Sequence, residues 1–272
     1  MTHPIVQEDI ESIFKIVGND LNRLQGKRVL ITGGAGFIGS YVAEAELQDG
    51  NRVTIVDMAL ADKVKHIVDD DTCIYLQRSM LDADLMDTLV AESDLVYHLG
   101  AIANVQFYCT VPERVLDTNI DGVRVVAEAC LRPGKKMFFA SSSEIYGKNP
   151  RVPWREDADS VIASPERIRW CYAISKLVGE HYLRAYQRKG LRMAIGRFFN
   201  IYGPRLDDIG QGRVITCFLE KFLKGEDVLV VEPGDQSRCF TYITDAVDGI
   251  RRVARGPCAE GRRVVGGRGH GI

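Results

Sequence analysis

TGGAGFIG, residues 32–39, follows directly on the β-branched run RVLIT of Arg28–Thr32 and opens a helical pattern over Gly36–Leu47. The glycines that matter are Gly33, Gly36 and Gly39. Gly33 permits a tight turn, Gly36 lets backbone N–H groups approach an anion, and Gly39 lets the new helix lie close on the strand. The helix N-terminus adds its dipole, so the unit is built to hold a pyrophosphate. A bare glycine pattern carries little weight. Here it sits between a strand and a helix, and the next strand, Asn51–Asp57 (NRVTIVD), ends on an acid at the spacing expected for an adenosine ribose. Asp57 accepting from both ribose hydroxyls favours NAD over NADP, because a 2′-phosphate beside a carboxylate is repelled.

Outward from this loop, strand and helix alternate. Further strands are expected at Cys73–Gln77, Leu95–Leu99, Lys136–Ser141 and Arg192–Phe198, with helices between them, notably over 112–131 and 170–189. Strands that are apolar almost throughout and separated by helices indicate a parallel sheet covered on both faces, an α/β doubly wound architecture. Before the sheet, Ile10, Ile13, Phe14, Val17, Leu21 and Leu24 fall at helical spacing, so residues 1–26 read as an amphipathic helix packed on the body. Residues 27–199 form the dinucleotide-binding domain. After Asn200 the alternation loosens into a loop at 203–212, a helix at 213–224, strands at 227–231 and 239–243, and a helix at 244–254, so 200–272 reads as a small C-terminal lobe. The closing GRRVVGGRGHGI has no periodicity and is expected to be loosely packed.

The formal net charge of -2 creates no field that would recruit nucleic acid or an acidic membrane. No apolar run reaches membrane-spanning length, and Glu8, Asp9 and Glu11 stand where a secretory leader would be basic and then apolar. The seven cysteines are scattered, with no CxxC pair and no histidine at zinc-ligand spacing, which points to reduced thiols in a cytoplasm and to no metal site.

Tyr172 and Lys176 in YAISK stand four residues apart, on one face of a helix. A free phenol titrates near ~10, too high for a base at neutral pH, and a neighbouring ammonium stabilises the phenolate. SSSEIYG, residues 141–147, lies at the C-terminal end of the Lys136–Ser141 strand, the edge where open α/β sheets bind ligands. A hydroxyl there can hold the reacting oxygen while Tyr172 takes its proton. Cys171 points away from its neighbour and reads as packing, and His98 reads as structural or cofactor-flanking.

These pieces resemble the extended short-chain dehydrogenase/reductase family of nucleotide-sugar epimerases, 4,6-dehydratases and decarboxylases. TGGAGFIG (32–39), YHLGAIA (97–103), DTNIDG (117–122), SSSEIYG (141–147), YAISK (172–176), RFFNIYGPR (197–205) and RCFTYITD (238–245) come in the family's order. The resemblance implies a Rossmann-type fold, NAD as cofactor, a UDP-linked sugar-nucleotide substrate, and a homodimer through the helices at 112–131 and 170–189. It places Gly33, Gly36, Phe37, Ile38 and Gly39 along the pyrophosphate and Asp57 on the ribose. Leu99, Gly100 and Ala101 border the cofactor, with Asn119 in the following helix. Tyr172 is the base, Lys176 its partner and Ser142 the catalytic hydroxyl. Ser143, Asn200, Arg213 and Arg238 resemble residues that hold the sugar nucleotide. Ser79 departs from the family, standing where many relatives carry an adenine-binding Asp, and the lobe after residue 254 is shorter than usual.

All these enzymes begin by oxidising C4 of the sugar, and Glu144 discriminates among them. The Ser-Ser-Glu step resembles UDP-glucuronate decarboxylases and dehydratases in which a carboxylate handles the C5 proton. Arg169-Trp170 and Gly212-Arg213-Val214 lean towards the decarboxylases. Decarboxylation of UDP-glucuronate therefore ranks first, 4-epimerisation of a UDP-glucuronate or UDP-hexose second and 4,6-dehydration third. A Rossmann-type protein that binds NAD without catalysis is the remaining alternative.

Overall fold

The computed structural model describes residues 3–17, 25–206, 213–230, 232–256 and 263–266. Its elements run α1 (Pro4–Val17), β1 (Arg28–Thr32), α2 (Phe37–Gln48), β2 (Arg52–Asp57), α3 (Lys65–Val68), β3 (Cys73–Gln77), α4 (Ala83–Glu92) and β4 (Leu95–His98). There follow α5 (Val105–Thr110), α6 (Pro112–Leu131), β5 (Lys136–Ser142), α7 (Cys171–Gln187), β6 (Arg192–Phe198) and β7 (Asn200–Tyr202). The last are α8 (Val214–Lys224), β8 (Phe240–Tyr242), α9 (Ile243–Arg255) and β9 (Arg263–Gly266).

The main sheet has seven strands in the order β3-β2-β1-β4-β5-β6-β9, all paired in parallel. The first six follow the Rossmann order, with the switch in direction between β1 and β4. Successive strand residues feed opposite faces. Ile31, Tyr97 and Phe138 join the core under α1, α2 and α9, while Leu30, Val96 and Phe139 join the core under α4, α6 and α7. Burial on both faces is why these strands read as unbroken apolar runs rather than as alternation. α1 docks through Val6, Ile10 and Ile13, and its Asp9 accepts from Tyr41 at 3.0 Å and from Tyr242 at 3.1 Å.

Two expectations are corrected. No strand forms over residues 227–230: Leu229 is 81% and Val230 55% exposed, and no neighbouring strand meets them among the described residues. Conversely, Arg263–Gly266, inside the segment expected to be loose, pairs with Ile195–Phe198 and adds the seventh strand. The free edge of β6 offers unpaired backbone groups, and Arg-Val-Val-Gly carries the β-branched residues to use them. β9 thus returns the chain to the main sheet, as does α9, whose Ile243, Val247 and Ile250 are core residues. The lobe beyond Asn200 consists of β7, β8 and α8, with β7 and β8 forming a two-stranded parallel sheet. Residues 18–24, 207–212, 231, 257–262 and 267–272, with parts of the predicted first helix, loop and tail, lie outside the described residues.

Candidate active site

The loops after β1, β4 and β5 converge at the carboxyl edge of the sheet, beside the switch point. At the first, Gly33 has φ +76, and a Cβ there would meet the Gly100 backbone at 2.6 Å. At Gly39 a Cβ would lie 2.1 Å from the Gly33 carbonyl oxygen. Both positions exclude any side chain, so the turn and helix pack backbone against backbone. Gly36 caps α2 with no side chain bound to the helix N-terminus. The first-turn N–H groups of a helix lack intrahelical acceptors, which makes Phe37 and Ile38 donors suited to a pyrophosphate. Asp57 ends β2, accepting from Ala35 N at 2.9 Å and Ala59 N at 3.0 Å, so its carboxylate is fixed beside the glycine turn. These residues fit a dinucleotide of the NAD type.

The β4 side is braced from beneath. Thr32 Oγ1 pairs with His98 Nδ1 at 2.8 Å and accepts from Gly100 N at 3.3 Å. Burial, with Lys176 nearby, pushes His98 down to about 3, so it stays neutral and holds the loop rather than carrying protons. Asn119 accepts from Ile102 N at 2.8 Å and donates to Ile102 O and Ser175 Oγ. Its work is to hold the Leu99–Ile102 loop against α6 and α7.

The catalytic candidates come from β5 and α7. Lys176 is 4% exposed, donates to Ala140 O at 2.8 Å, and lies 5.8 Å from the Tyr172 ring centre. Burial pulls its ammonium down to about 7. Burial also raises Tyr172, and the Glu144 carboxylate raises it further, while Arg213 and a hydrogen bond with Ser142 pull it back. Ser142 caps the short turn Ser143–Tyr146 by accepting from Glu144 N at 3.2 Å. Glu144 is raised by burial, against the opposing pull of Arg169 and Arg213. Its Oε2 is buried and has no hydrogen-bond partner among the described residues, with Arg169 at 3.9 Å. Tyr172, Lys176, Ser142, Glu144 and Arg213 therefore converge on one centre.

Ser143 is partly exposed beside that centre. Asn200 pairs with Cys239 O, which joins β7 to the β8 side. Arg238 is exposed and donates to the neighbouring Ser237 O. Two features escaped the sequence reading. Tyr108 of α5 stacks on Tyr172 with ring centres 4.7 Å apart. Arg197 of β6 makes a buried bidentate pair with Glu180 at 2.9 and 2.8 Å and reaches Tyr146 Oη at 2.9 Å, and Glu180 also accepts from Ser141 at 2.7 Å. This network fixes both ends of the Ser141–Tyr146 segment. The only sequence signal for it is the pair of charges on otherwise buried faces.

Among the described residues no helix is long and apolar enough to cross a membrane, and no cluster of metal-ligating side chains occurs. A family model described as the NAD dependent epimerase/dehydratase family matches residues 29–265. Over 223 residues the chain is 44% identical to the UDP-N-acetyl-alpha-D-glucosaminuronate decarboxylase of Bacillus cytotoxicus, covering 82% of this chain and 69% of that protein. It is 33% identical over 231 residues to UDP-glucuronic acid decarboxylase 1 of Xenopus tropicalis, covering 85% of this chain and 54% of that protein. The UDP-N-acetylglucosamine 4-epimerase of Methanobrevibacter ruminantium M1, solved with UDP-N-acetylmuramic acid, matches with a TM-score of 0.82 at 29% identity, covering 92% of this chain and 79% of that one.

Proposed function

Since this chain belongs to the NAD-dependent epimerase/dehydratase family, the extended short-chain dehydrogenases/reductases, we propose that it decarboxylates a UDP-linked uronic acid. The observation that carries the reading is Glu144, a carboxyl that acts on Tyr172 and has one buried oxygen without a hydrogen-bond partner among the described residues, 3.9 Å from Arg169. A 4-epimerase needs no such group. A decarboxylase does, because loss of CO₂ leaves a carbanion-like C5 that must be protonated.

Bound NAD supplies a reversible hydride acceptor for C4. Tyr172 accepts the proton from the C4 hydroxyl, with Ser142 holding the same oxygen and Lys176 offsetting the phenolate charge. The resulting ketone is β to the uronate carboxylate, and a β-keto acid loses CO₂ readily. Arg169 and Arg213 provide the positive charge that admits a second carboxylate next to Glu144. Burial raises the pKa of Glu144 and so favours its protonated form, from which a proton can be delivered to C5. The similarity to the Bacillus cytotoxicus enzyme favours a second reading of the substrate, with an acetamido group at C2 in place of hydroxyl. A homodimer through α6 and α7 and a cytoplasmic setting, in keeping with the free cysteines among the described residues, complete the proposal.

The test is mass spectrometry of the protein incubated with NAD and either UDP-glucuronate or its 2-acetamido analogue. Loss of CO₂ from one of them is expected, abolished in Tyr172→Phe with NAD still bound. Unchanged mass with inversion at C4 would establish an epimerase, and loss of water from a neutral hexose nucleotide a dehydratase. Tight NAD binding with no turnover of any sugar nucleotide would leave a binding protein.

A further inference from the structure

Tyr108 has no role in the chemistry above, yet its ring lies face to face with that of the proposed base. The ring centres are 4.7 Å apart with planes at 10°, and Tyr108 is 2% exposed. We propose that Tyr108 is a positioning residue for Tyr172, fixing the plane in which the Tyr172 hydroxyl meets the sugar. The inference rests on Tyr172 being the base in C4 oxidation, a step shared by every reaction considered above.

The stack is held from several sides. The Cys171 thiol donates to the Tyr108 carbonyl at 3.5 Å, tying α5 to the first residue of α7. Tyr108, Val115 and Cys171 form a small buried cluster against which Ile102, Leu116 and Tyr172 pack. Asn104 caps α5 by accepting from Gln106 N at 2.8 Å, and Asn119 clamps Ile102, so the wall behind the ring is itself fixed. Rotation about χ2 leaves the Tyr172 hydroxyl on its axis, so the freedom that displaces it is the swing of the whole ring about χ1, which a wall on the ring face blocks. An offset parallel stack narrows that freedom. Because a misplacement of about 1 Å at a reacting group costs on the order of a hundredfold in rate, the wall acts on kcat rather than on substrate affinity.

The variant to make is Tyr108→Met, which fills the cavity with flexible apolar atoms but offers no plane, with Tyr108→Phe as its partner. Each is assayed in the NAD-loaded protein on whichever sugar nucleotide the wild type turns over, and NAD titration shows that each is folded. The expected result is a fall in kcat on the order of 10- to 100-fold for the methionine variant with KM within about threefold, and recovery to within about threefold of wild type in Tyr108→Phe. If the methionine variant fails to bind NAD, Tyr108→Leu takes its place under the same criteria. An unchanged kcat, an effect confined to KM, or a phenylalanine variant as impaired as the methionine one would overturn the assignment. Failure of the wild type on every uronate would instead count against the proposed function.

Discussion

Lys176→Met, studied in nucleotide-free protein, measures the cost of burying the Lys176 ammonium. Lys176 donates to Ala140 O at 2.8 Å and lies 4.9 Å from the Phe139 ring centre, yet these contacts do not offset desolvation, which lowers it from 10.5 to about 7. At about 1.4 kcal/mol per unit, the folded state bears on the order of 5 kcal/mol when the lysine is charged in both states. The folded value is depressed, so the unfolded chain binds more protons between the two values, and stability rises with pH across that window. The lysine's contribution is fully present above the unfolded value near 10.5 and is lost as pH falls through about 7. From about pH 9 to about pH 7, wild type should lose about 2 kcal/mol relative to Lys176→Met, and below about pH 6 the gap should level off. Urea unfolding by linear extrapolation at each pH reads the difference, and comparison with the variant cancels other titrating groups. The unpaired Ala140 carbonyl left in the variant shifts the baseline but not its slope. A gap independent of pH between about 7 and 9 would refute a desolvated, partnerless-in-charge Lys176.

Gly39→Ala would drive a methyl group to 2.1 Å from the Gly33 carbonyl oxygen, so the glycine turn must open. Calorimetric titration should show NAD affinity falling at least about tenfold with a lower melting temperature, and wild-type binding would mean that the turn yields without cost. Glu180→Ala leaves Arg197 buried without its carboxylate and Ser141 without its acceptor. A loss of about 3–5 kcal/mol in urea unfolding is expected, with much of it recovered when Arg197→Met is added. A loss below about 1 kcal/mol would show that the pair is not the brace described here.

What was legible in the sequence depended on how local the cause was. The parallel sheet was readable because both of its faces are buried, which turns each strand into a continuous apolar run such as Val29–Ile31. Tyr172 and Lys176 were readable because one helix face places them four residues apart, with the ammonium 5.8 Å from the ring centre. β9 was hidden because its strand character is only Val264-Val265 inside a segment rich in Gly and Arg, and the edge it pairs with lies on β6. The DVLV run at 227–230 misled for the opposite reason, having strand composition but no partner among the described residues. Tyr108 and Arg197 were missed as site residues because their roles arise from α5 meeting α7 and from β6 meeting α7, pairings that no local pattern encodes.

The electrostatics of the centre point one way. Burial raises Tyr172, raises Glu144 and lowers Lys176, so each of the three groups is pushed toward its neutral form. An ion pair within the centre is the long one between Arg169 and Glu144 Oε2, at 3.9 Å. When Tyr172 ionises to serve as the base, or a uronate carboxylate enters beside Glu144, charge is created where little water can screen it, and fixed neighbours must answer it. Arg213 already acts on both Tyr172 and Glu144, and Arg169 on Glu144. A uronate gives these arginines a carboxylate of its own and frees Glu144 to keep its proton. On the proposed reading, two arginines beside a carboxyl pushed toward its neutral form suit the centre to an acidic sugar.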